Sequence, residues 1–292
     1  MNKITAKAYA KINLSLDITG IRDDGYHLLS TIMQSVSLHD TLSFEKCEDK
    51  GIFITCDEES IPTDEKNIIY KAAMKLFNAT EKEILTGIKI HLSKKIPHGA
   101  GLGGGSADAA ATLIALNKLY DLDFSKKELL NIGVSVGADV PFCLNGGTIL
   151  CEGIGEKLTP LIPLINFHAV IIKSDVLSPT EAAYKRFDSM HITTNFKQDK
   201  LLDSIAQGNI KKLSKNMFNV LEFITPREVI DDAKNALLDY GALDSIMTGS
   251  GSAVFGLFKR KSAAERAYKE LKEKFSFVSL AEPVSYGVSI ED

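Results

Sequence analysis

Residues 97–110 read PHGAGLGGGSADAA, with five glycines in the seven positions from Gly99 to Gly105 and alanines directly after. Glycine in regular structure is about 0.5–1 kcal/mol less favourable than alanine, so the cluster needs a reason. Ala107, Ala110, Ala111 and Ile114 follow at helical spacing. The loop therefore opens a helix of small residues, with Ala107, Ala110, Ala111 and Ile114 on one face. A glycine loop at a helix start lets backbone N–H groups converge on an anion. Two other readings compete. Gly99-x-Gly101-x-x-Gly104 matches the dinucleotide-binding spacing, and a bare flexible turn needs no ligand. The dinucleotide motif directly follows a strand and starts a βαβ unit. Here SKKIPH at 93–98 intervenes, and the acidic candidates Asp121 and Asp123 fall beyond an apparent helix end. No glycine is followed by Lys-Ser or Lys-Thr, so the ordinary P-loop lysine is missing and the cation has to come from elsewhere in the chain.

Working outward, GIKIHLSKKI (87–96) is a strand leading into the loop. TDEKNIIYKAAMKLF (63–77) is a helix with Ile69, Ala72, Ala73 and Leu76 on one face. YAKINLSLDI (9–18) alternates apolar and polar residues, the pattern of a half-buried strand, with Lys11 and Asn13 on its polar face. RDDGYH (22–27) is a polar turn, and STIMQSVSLHDTLSFEK (30–46) continues as strand. Beyond the loop, SKKE (125–128) is a capping box that starts a helix reaching about Val136. VGADVPF (136–142) is expected as loop, and GGTILCEGIGEKLTPL (146–161) as strand, turn and strand. This order is α+β, not a regular βαβ alternation.

Pro160, Pro163 and Asn166 mark a boundary, giving domains at 1–158 and 159–292. In the second, FHAVIIK (167–173) is a strand. SPTE (178–181) offers Ser178 as N-cap with Pro179 at the first helical position. The polar run 189–200 is expected as loop. TPRE (225–228) repeats the capping box, and Gly241 ends the helix that follows. LDSIMTGSGSAVFGLF (243–258) reads strand, glycine turn, strand; a helix near 262–275 and a strand near 278–280 complete a ferredoxin-like βαββαβ run.

Composition bounds the function. The chain has 292 residues, 45% hydrophobic and 25% charged, the balance of a globular protein. A net charge of −4 without a basic stripe gives nucleic-acid binding no support. The pairs Lys94-Lys95 and Lys211-Lys212 read as solvated faces or local phosphate contacts. Cysteines at 47, 56, 143 and 151 have no C-x-x-C spacing, so reduced thiols are expected and not zinc. The first sixteen residues hold no apolar leader core, and the most apolar stretch, 161–172, is broken by Pro163, Asn166 and His168. A cytoplasmic protein acting on small molecules, without nucleic-acid or membrane partners, is expected, as a monomer or weak homodimer.

The loop resembles the P-x-x-x-G-L-G-G-G-S-S/A-x-A-A loop of the GHMP kinases, which serves that superfamily in place of a Walker loop. AYAKINLSLDI with DDGYH, GADVPF (137–142) and TGSGSAVFGLF (248–258) resemble further motifs of one branch, in order and at fitting spacing from residue 8 to 258. The resemblance implies a ribosomal-S5-domain-2-like N-terminal domain, a ferredoxin-like C-terminal domain and an active site in the cleft between them. It implies ATP-dependent phosphorylation of the 2-hydroxyl of a cytidine diphosphate conjugate of methylerythritol, in the non-mevalonate isoprenoid precursor pathway. By the same resemblance Lys11 is the catalytic cation and Asp139 the base for the acceptor hydroxyl. Pro97, His98, Gly99, Ala100, Gly101, Leu102, Gly103, Gly104, Gly105, Ser106 and Ala107 wrap the ATP phosphates. Side chains there would obstruct that approach. Ser106 meets phosphate or Mg²⁺, and equally suits an N-cap. Asn67 and Lys95 reach the nucleotide. Asn13, Tyr26, His27, Thr180, Tyr184, Gly249 and Gly251 serve the acceptor, with the two tyrosines offering stacking faces and His27 a donor and an acceptor for the base edge. Ala107 stands where many relatives carry a second serine, His98 occupies a variable position, and no glutamate for Mg²⁺ is identifiable. Alternatives are a GHMP kinase for homoserine or mevalonate, a non-catalytic binding protein, and a dinucleotide dehydrogenase.

Overall fold

Strands β1 (Lys3–Ile21) and β2 (His27–Cys47) form a long antiparallel hairpin that carries both halves of the molecule. The structure, a computed structural model, describes residues 2–174, 180–190, 192 and 194–291. β3 (Ile52–Cys56) and β4 (Gly87–Ser93) extend the sheet beyond β2, while β5 (Thr148–Gly153) pairs along the other stretch of β2 and carries β6 (Lys157–Pro160) on its far side. Helices α1 (Ile68–Ala79), α2 (Gly104–Leu119), α3 (Lys126–Val136) and α4 (Val140–Asn145) cover one face. Ile69, Ala72, Ala73 and Leu76 are the buried residues of α1, as its spacing predicts. The capping box of α3 forms as read, with Ser125 accepting from Glu128 N and the Glu128 carboxylate accepting from Ser125 N.

The second half is an antiparallel sheet in the order β11-β7-β10-β9: β7 (His168–Lys173), β9 (Ser245–Met247), β10 (Ala253–Phe258) and β11 (Phe277–Ala281). With the intervening helices α5 (Thr180–Met190), α6 (Gln198–Ala206), α7 (Ile210–Lys215), α8 (Arg227–Asp239) and α9 (Lys261–Leu271), this is the ferredoxin-like βαββαβ arrangement. One face of this sheet packs on α8 and α9 through Ile172, Val254, Leu237 and Leu271. The other packs on the hairpin, where Ile171, Phe255 and Leu257 meet Ile12, Leu14 and Ile32. Two short strands complete the first sheet against β1: β8 (Phe218–Asn219), parallel to it, and β12 (Val288–Glu291), antiparallel.

The hairpin decides which way the polar residues of β1 point. Ile4, Ala6 and Ala8 lie in the core under the helices, whereas Ala10, Ile12 and Leu14 lie between the two sheets. The β1–β2 register shifts between Tyr9 and Lys11. An irregular step in the ladder exchanges the faces of the residues beyond it. Lys11 and Asn13 are thereby turned to the helix side, where α2 and α4 begin. They are buried, at 3% and 1% exposure, so β1 is covered on both faces and is not the half-exposed strand that its alternation suggests.

Other expectations are corrected. α2 is buried all round from Ala107 to Leu113, Asp108 and Thr112 included, and Ile114 is one of its less buried residues. Its start is Gly103 in a left-handed conformation (φ 70°), so Ser106 is not the N-cap. VGADVPF is not all loop: α4 begins at Val140 because Pro141 in a first turn has no amide hydrogen to leave unpaired. The TPRE box does not form. Thr225 donates instead to Leu221 O, and α8 starts after Pro226 with no side-chain cap. α6 begins inside the run expected as loop, and α9 ends at Leu271. The capping residues Ser178 and Pro179 lie outside the described residues.

Candidate active site

The glycine loop, the middle of β1 and the turn between β9 and β10 meet at one point. Lys11 N donates to Leu102 O (2.9 Å) and Ala253 N donates to Ala100 O (3.1 Å). Thr248 Oγ1 lies 3.2 Å from Gly101 O and 3.0 Å from Asn13 Oδ1, and it accepts from Asn13 N at 3.0 Å. Such closeness accounts for two of the glycines. At Gly101 (φ +75°) a Cβ would stand 2.1 Å from Thr248 O. At Gly103 (φ +70°) it would stand 2.9 Å from Lys11 Cγ. The loop lacks side chains there so that the protein can approach itself, a reason the sequence alone did not give. Gly105, by contrast, has room: its Cβ would meet Ile68 at 3.5 Å, an ordinary contact.

These segments wall a cavity of about 840 Å³. α2 enters it without a side-chain cap, so the amides of its first turn have no partner within the helix. They carry the positive end of the helix dipole into the cavity. Ser106, third residue of α2, lines the same wall. Lys11 Nζ donates to Asn13 Oδ1 at 2.6 Å and lies 3.7 Å from Asp139 Oδ2. Asn13 Nδ2 in turn donates to Thr31 Oγ1 (2.9 Å), so both ends of the amide are engaged. Asp139 is the residue before α4, and its carbonyl accepts from Cys143 N at 3.0 Å. Its side chain is one-third exposed and lines the cavity. Asn219 fastens the turn from behind, with Nδ2 donating to Met247 O (2.8 Å) and Gly249 O (2.9 Å).

At the far end of the cavity Tyr26 projects with 61% exposure. His27 Nε2 is 2.6 Å from Asp188 Oδ1, and the His27 and Tyr184 rings lie 4.8 Å apart. Burial, with Asp139 second, raises the Tyr184 phenol above its ordinary pKa.

The cavity does not gather every expected residue. Lys95 is exposed and does not line it; its neighbour Lys94 does. Lys94 Nζ is held between Asp40 Oδ2 (2.5 Å) and Asp108 Oδ2 (2.8 Å), so this lysine is no solvated face. Asp40 also accepts from Lys95 N and Ile96 N, at 2.6 and 2.8 Å. Burial pushes the Asp108 carboxyl well above the usual carboxylate range. Burial opposes the charge of Lys94, but Asp108 and Asp40 outweigh it and raise its pKa. Asn67 lines the cavity as the N-cap of α1, accepting from Ile69 N at 2.8 Å and donating to Pro62 O at 2.5 Å. Ala107 and Gly251 are buried off the lining. Thr180 opens α5, but its side chain lies outside the description. Among the described residues no group of three or more His, Cys, Asp or Glu forms a metal site, the four cysteines are free thiols, and no helix is long and apolar enough to cross a membrane.

Two family descriptions match the chain: GHMP kinases N terminal domain over residues 67–147 and GHMP kinases C terminal over 201–276. Fold and cleft together thus define a GHMP kinase, an enzyme that uses ATP. The 4-diphosphocytidyl-2-C-methyl-D-erythritol kinase of Caldicellulosiruptor saccharolyticus is 47% identical over 271 residues, covering 91% of this chain and 92% of that protein. The enzyme of the same name from Thermoanaerobacter pseudethanolicus is 42% identical over 292 residues, covering 99% of each. A crystal structure of 4-(cytidine 5'-diphospho)-2C-methyl-D-erythritol kinase superposes with a TM-score of 0.79 at 31% identity, over 95% of this chain and 99% of that one. The homoserine kinase of Cytophaga hutchinsonii shares the fold, with a TM-score of 0.77 at 24% identity over 100% and 98% of the two chains. The chain belongs to the 4-diphosphocytidyl-2-C-methyl-D-erythritol kinase family.

Proposed function

We propose that this enzyme moves the γ-phosphoryl group of ATP to the 2-hydroxyl of 4-diphosphocytidyl-2-C-methyl-D-erythritol, a step of the non-mevalonate route to isoprenoid precursors. The observation that carries the reading is the meeting of Lys11, Asp139 and the uncapped start of α2 in one cavity whose other end is lined by Tyr26, His27 and Tyr184. Phosphoryl transfer asks the protein for placement and charge compensation more than for covalent work. The first-turn amides of α2 hold the phosphate oxygens. The acceptor oxygen bonds to the γ-phosphorus as the bond to the bridging oxygen breaks, and ADP departs. Asp139 orients the acceptor hydroxyl and receives its proton, while Lys11 neutralises charge gathering on the transferred group. Asn13 holds the lysine in place. One hydrogen of its Nδ2 goes to Thr31, and the other serves the acceptor from the cavity wall.

A magnesium ion fits the donors present. A lone hydroxyl, Ser106, is a small protein share, as suits an ion that keeps water and phosphate oxygens for most of its shell. When bound there it supplies further neutralisation of phosphate charge. The cytosine ring lies between Tyr26 and Tyr184, within reach of His27. The reading takes the enzyme to work in the cytoplasm, as a monomer or weak homodimer, on a small molecule and not on nucleic acid or membrane. The division into domains 1–158 and 159–292 is kept as part of it, with the final strand β12 returning to the first sheet.

Incubation with Mg-ATP and, separately, the cytidyl conjugate, homoserine and mevalonate tests the proposal. ADP and a new phosphomonoester are expected with the cytidyl conjugate alone. Turnover of homoserine or mevalonate in its place would refute it.

A further inference from the structure

The base end of the cleft holds a contact that the transfer chemistry does not use. His27 begins β2 in the first half of the molecule, and Asp188 lies on α5 in the second. Their side chains meet across the cavity mouth at 2.6 Å, through His27 Nε2 and Asp188 Oδ1. The His27 ring rests against Tyr184, tilted by 34°, and meets Phe187 edge-on at 6.1 Å. Its side chain is only 13% exposed, and it lines the cavity with Tyr184 and Asp188. Among the described residues Nδ1 has no hydrogen-bond partner. An ionised carboxylate can only accept, so the nitrogen facing it carries the hydrogen. In a neutral imidazole the other nitrogen then keeps its lone pair. Asp188 therefore makes Nδ1 an acceptor.

That polarity separates two pyrimidines that are otherwise alike. Cytosine presents an amino donor at the edge position where a uracil-type base presents a keto acceptor. Stacking on Tyr26 or Tyr184 cannot tell them apart, because every base has a π-face. A keto oxygen set against the Nδ1 lone pair would leave two acceptors unpaired, and unmade hydrogen bonds are what produce strong discrimination in such sites.

We infer that Asp188 is a positioning residue that sets base specificity: it fixes the His27 tautomer, and so admits a cytidine diphosphate conjugate and turns away its uridine counterpart. This rests on the cytidyl reading of the acceptor given above. Among the described residues the hydrogen-bond and ring contacts of the His27 side chain are Asp188, Tyr184 and Phe187, and neither partner bonds to Lys11, Asp139 or the start of α2, so the effect falls on acceptor choice and not on ATP.

The test compares kcat/KM for the cytidine and uridine diphosphate conjugates of methylerythritol in wild type and in Asp188→Ala, with ¹⁵N NMR of the His27 ring in the wild-type protein. The ring should carry its proton on Nε2. In the variant the ring is free to turn, and the cytidine-over-uridine ratio should fall by about 10–100-fold, with the KM for ATP unchanged. An unchanged ratio, or a wild-type ring protonated at Nδ1, would overturn the assignment. Turnover of neither conjugate by wild type, with turnover of homoserine or mevalonate, would instead overturn the substrate reading beneath it and remove the assignment with it.

Discussion

At the end of the cleft proposed for the phosphates the protein offers backbone, closely packed: the start of α2, and Gly101 and Gly249 drawn together by Thr248 and pinned by Asn219. At the end proposed for the base it offers side chains, some of them open to solvent: Tyr26 at 61% exposure, and a His27–Asp188 bond that joins the two halves across the mouth. The contrast suits the work proposed for each end. Transfer needs reacting atoms placed to within a fraction of an ångström, and packed backbone holds position without rotamer freedom. Choosing a base needs complementary edges and flat faces, which side chains supply, at the cost of ordering them when ligand arrives.

The largest expected effect lies at the phosphate end. Asp139→Ala and Lys11→Ala should each lower kcat by roughly 10²–10⁴-fold, with far-ultraviolet circular dichroism unchanged; wild-type turnover in either would remove that residue from the chemistry. Next comes the packing of the loop. Gly101→Ala forces a Cβ within 2.1 Å of Thr248 O, and the displaced loop should lose about 100-fold or more in kcat/KM. Gly105→Ala should leave the melting temperature within a degree or so of wild type, since its Cβ meets only an ordinary contact. Equal melting losses in the two would erase the distinction drawn between these glycines. At the base end, Tyr26→Ala should raise the acceptor KM by about 5–100-fold through lost stacking, leaving the KM for ATP alone. The reverse pattern would move Tyr26 to the nucleotide.

The smallest effect concerns stability. The Asp108 carboxyl titrates higher in the folded protein than in the unfolded chain because it is buried. Over the interval between those two values the folded state holds the extra proton, so stability falls as pH rises through it. Asp108→Asn removes that dependence. Its melting temperature should exceed that of wild type near neutral pH, and the gap should close as pH falls towards the ordinary carboxylate value of about 4. A gap that stays constant with pH would contradict the burial account.

The two ends also differed in how far the sequence could be read. The glycine cluster announced the loop and the helix that opens from it, and the strict spacing of Ile69, Ala72, Ala73 and Leu76 gave the buried face of α1. Alternation in β1 told which residues share a face but not what covers that face; burial of Lys11 and Asn13 depends on a register step and on the second sheet. Lys94 and Lys95 look alike in sequence. What separates them is Asp40, 54 and 55 residues away along the chain, which no local pattern reveals. Ser106 looks like a cap because serine often is one, whereas left-handed Gly103 holds that position and leaves the amides uncapped. Asp188 gave no signal at all, since it carries meaning only once α5 is folded against β2. Short β12 escaped notice for the same reason, its pairing with β1 spanning nearly the whole chain.

A crystal structure with a non-hydrolysable ATP analogue and the cytidyl conjugate would examine the central claim directly. The account predicts the γ-phosphate on the amides that open α2, with the 2-hydroxyl between it and Asp139 and with Lys11 alongside. A triphosphate seated away from that helix start, leaving Lys11 and Asp139 remote from the γ-position, would contradict it.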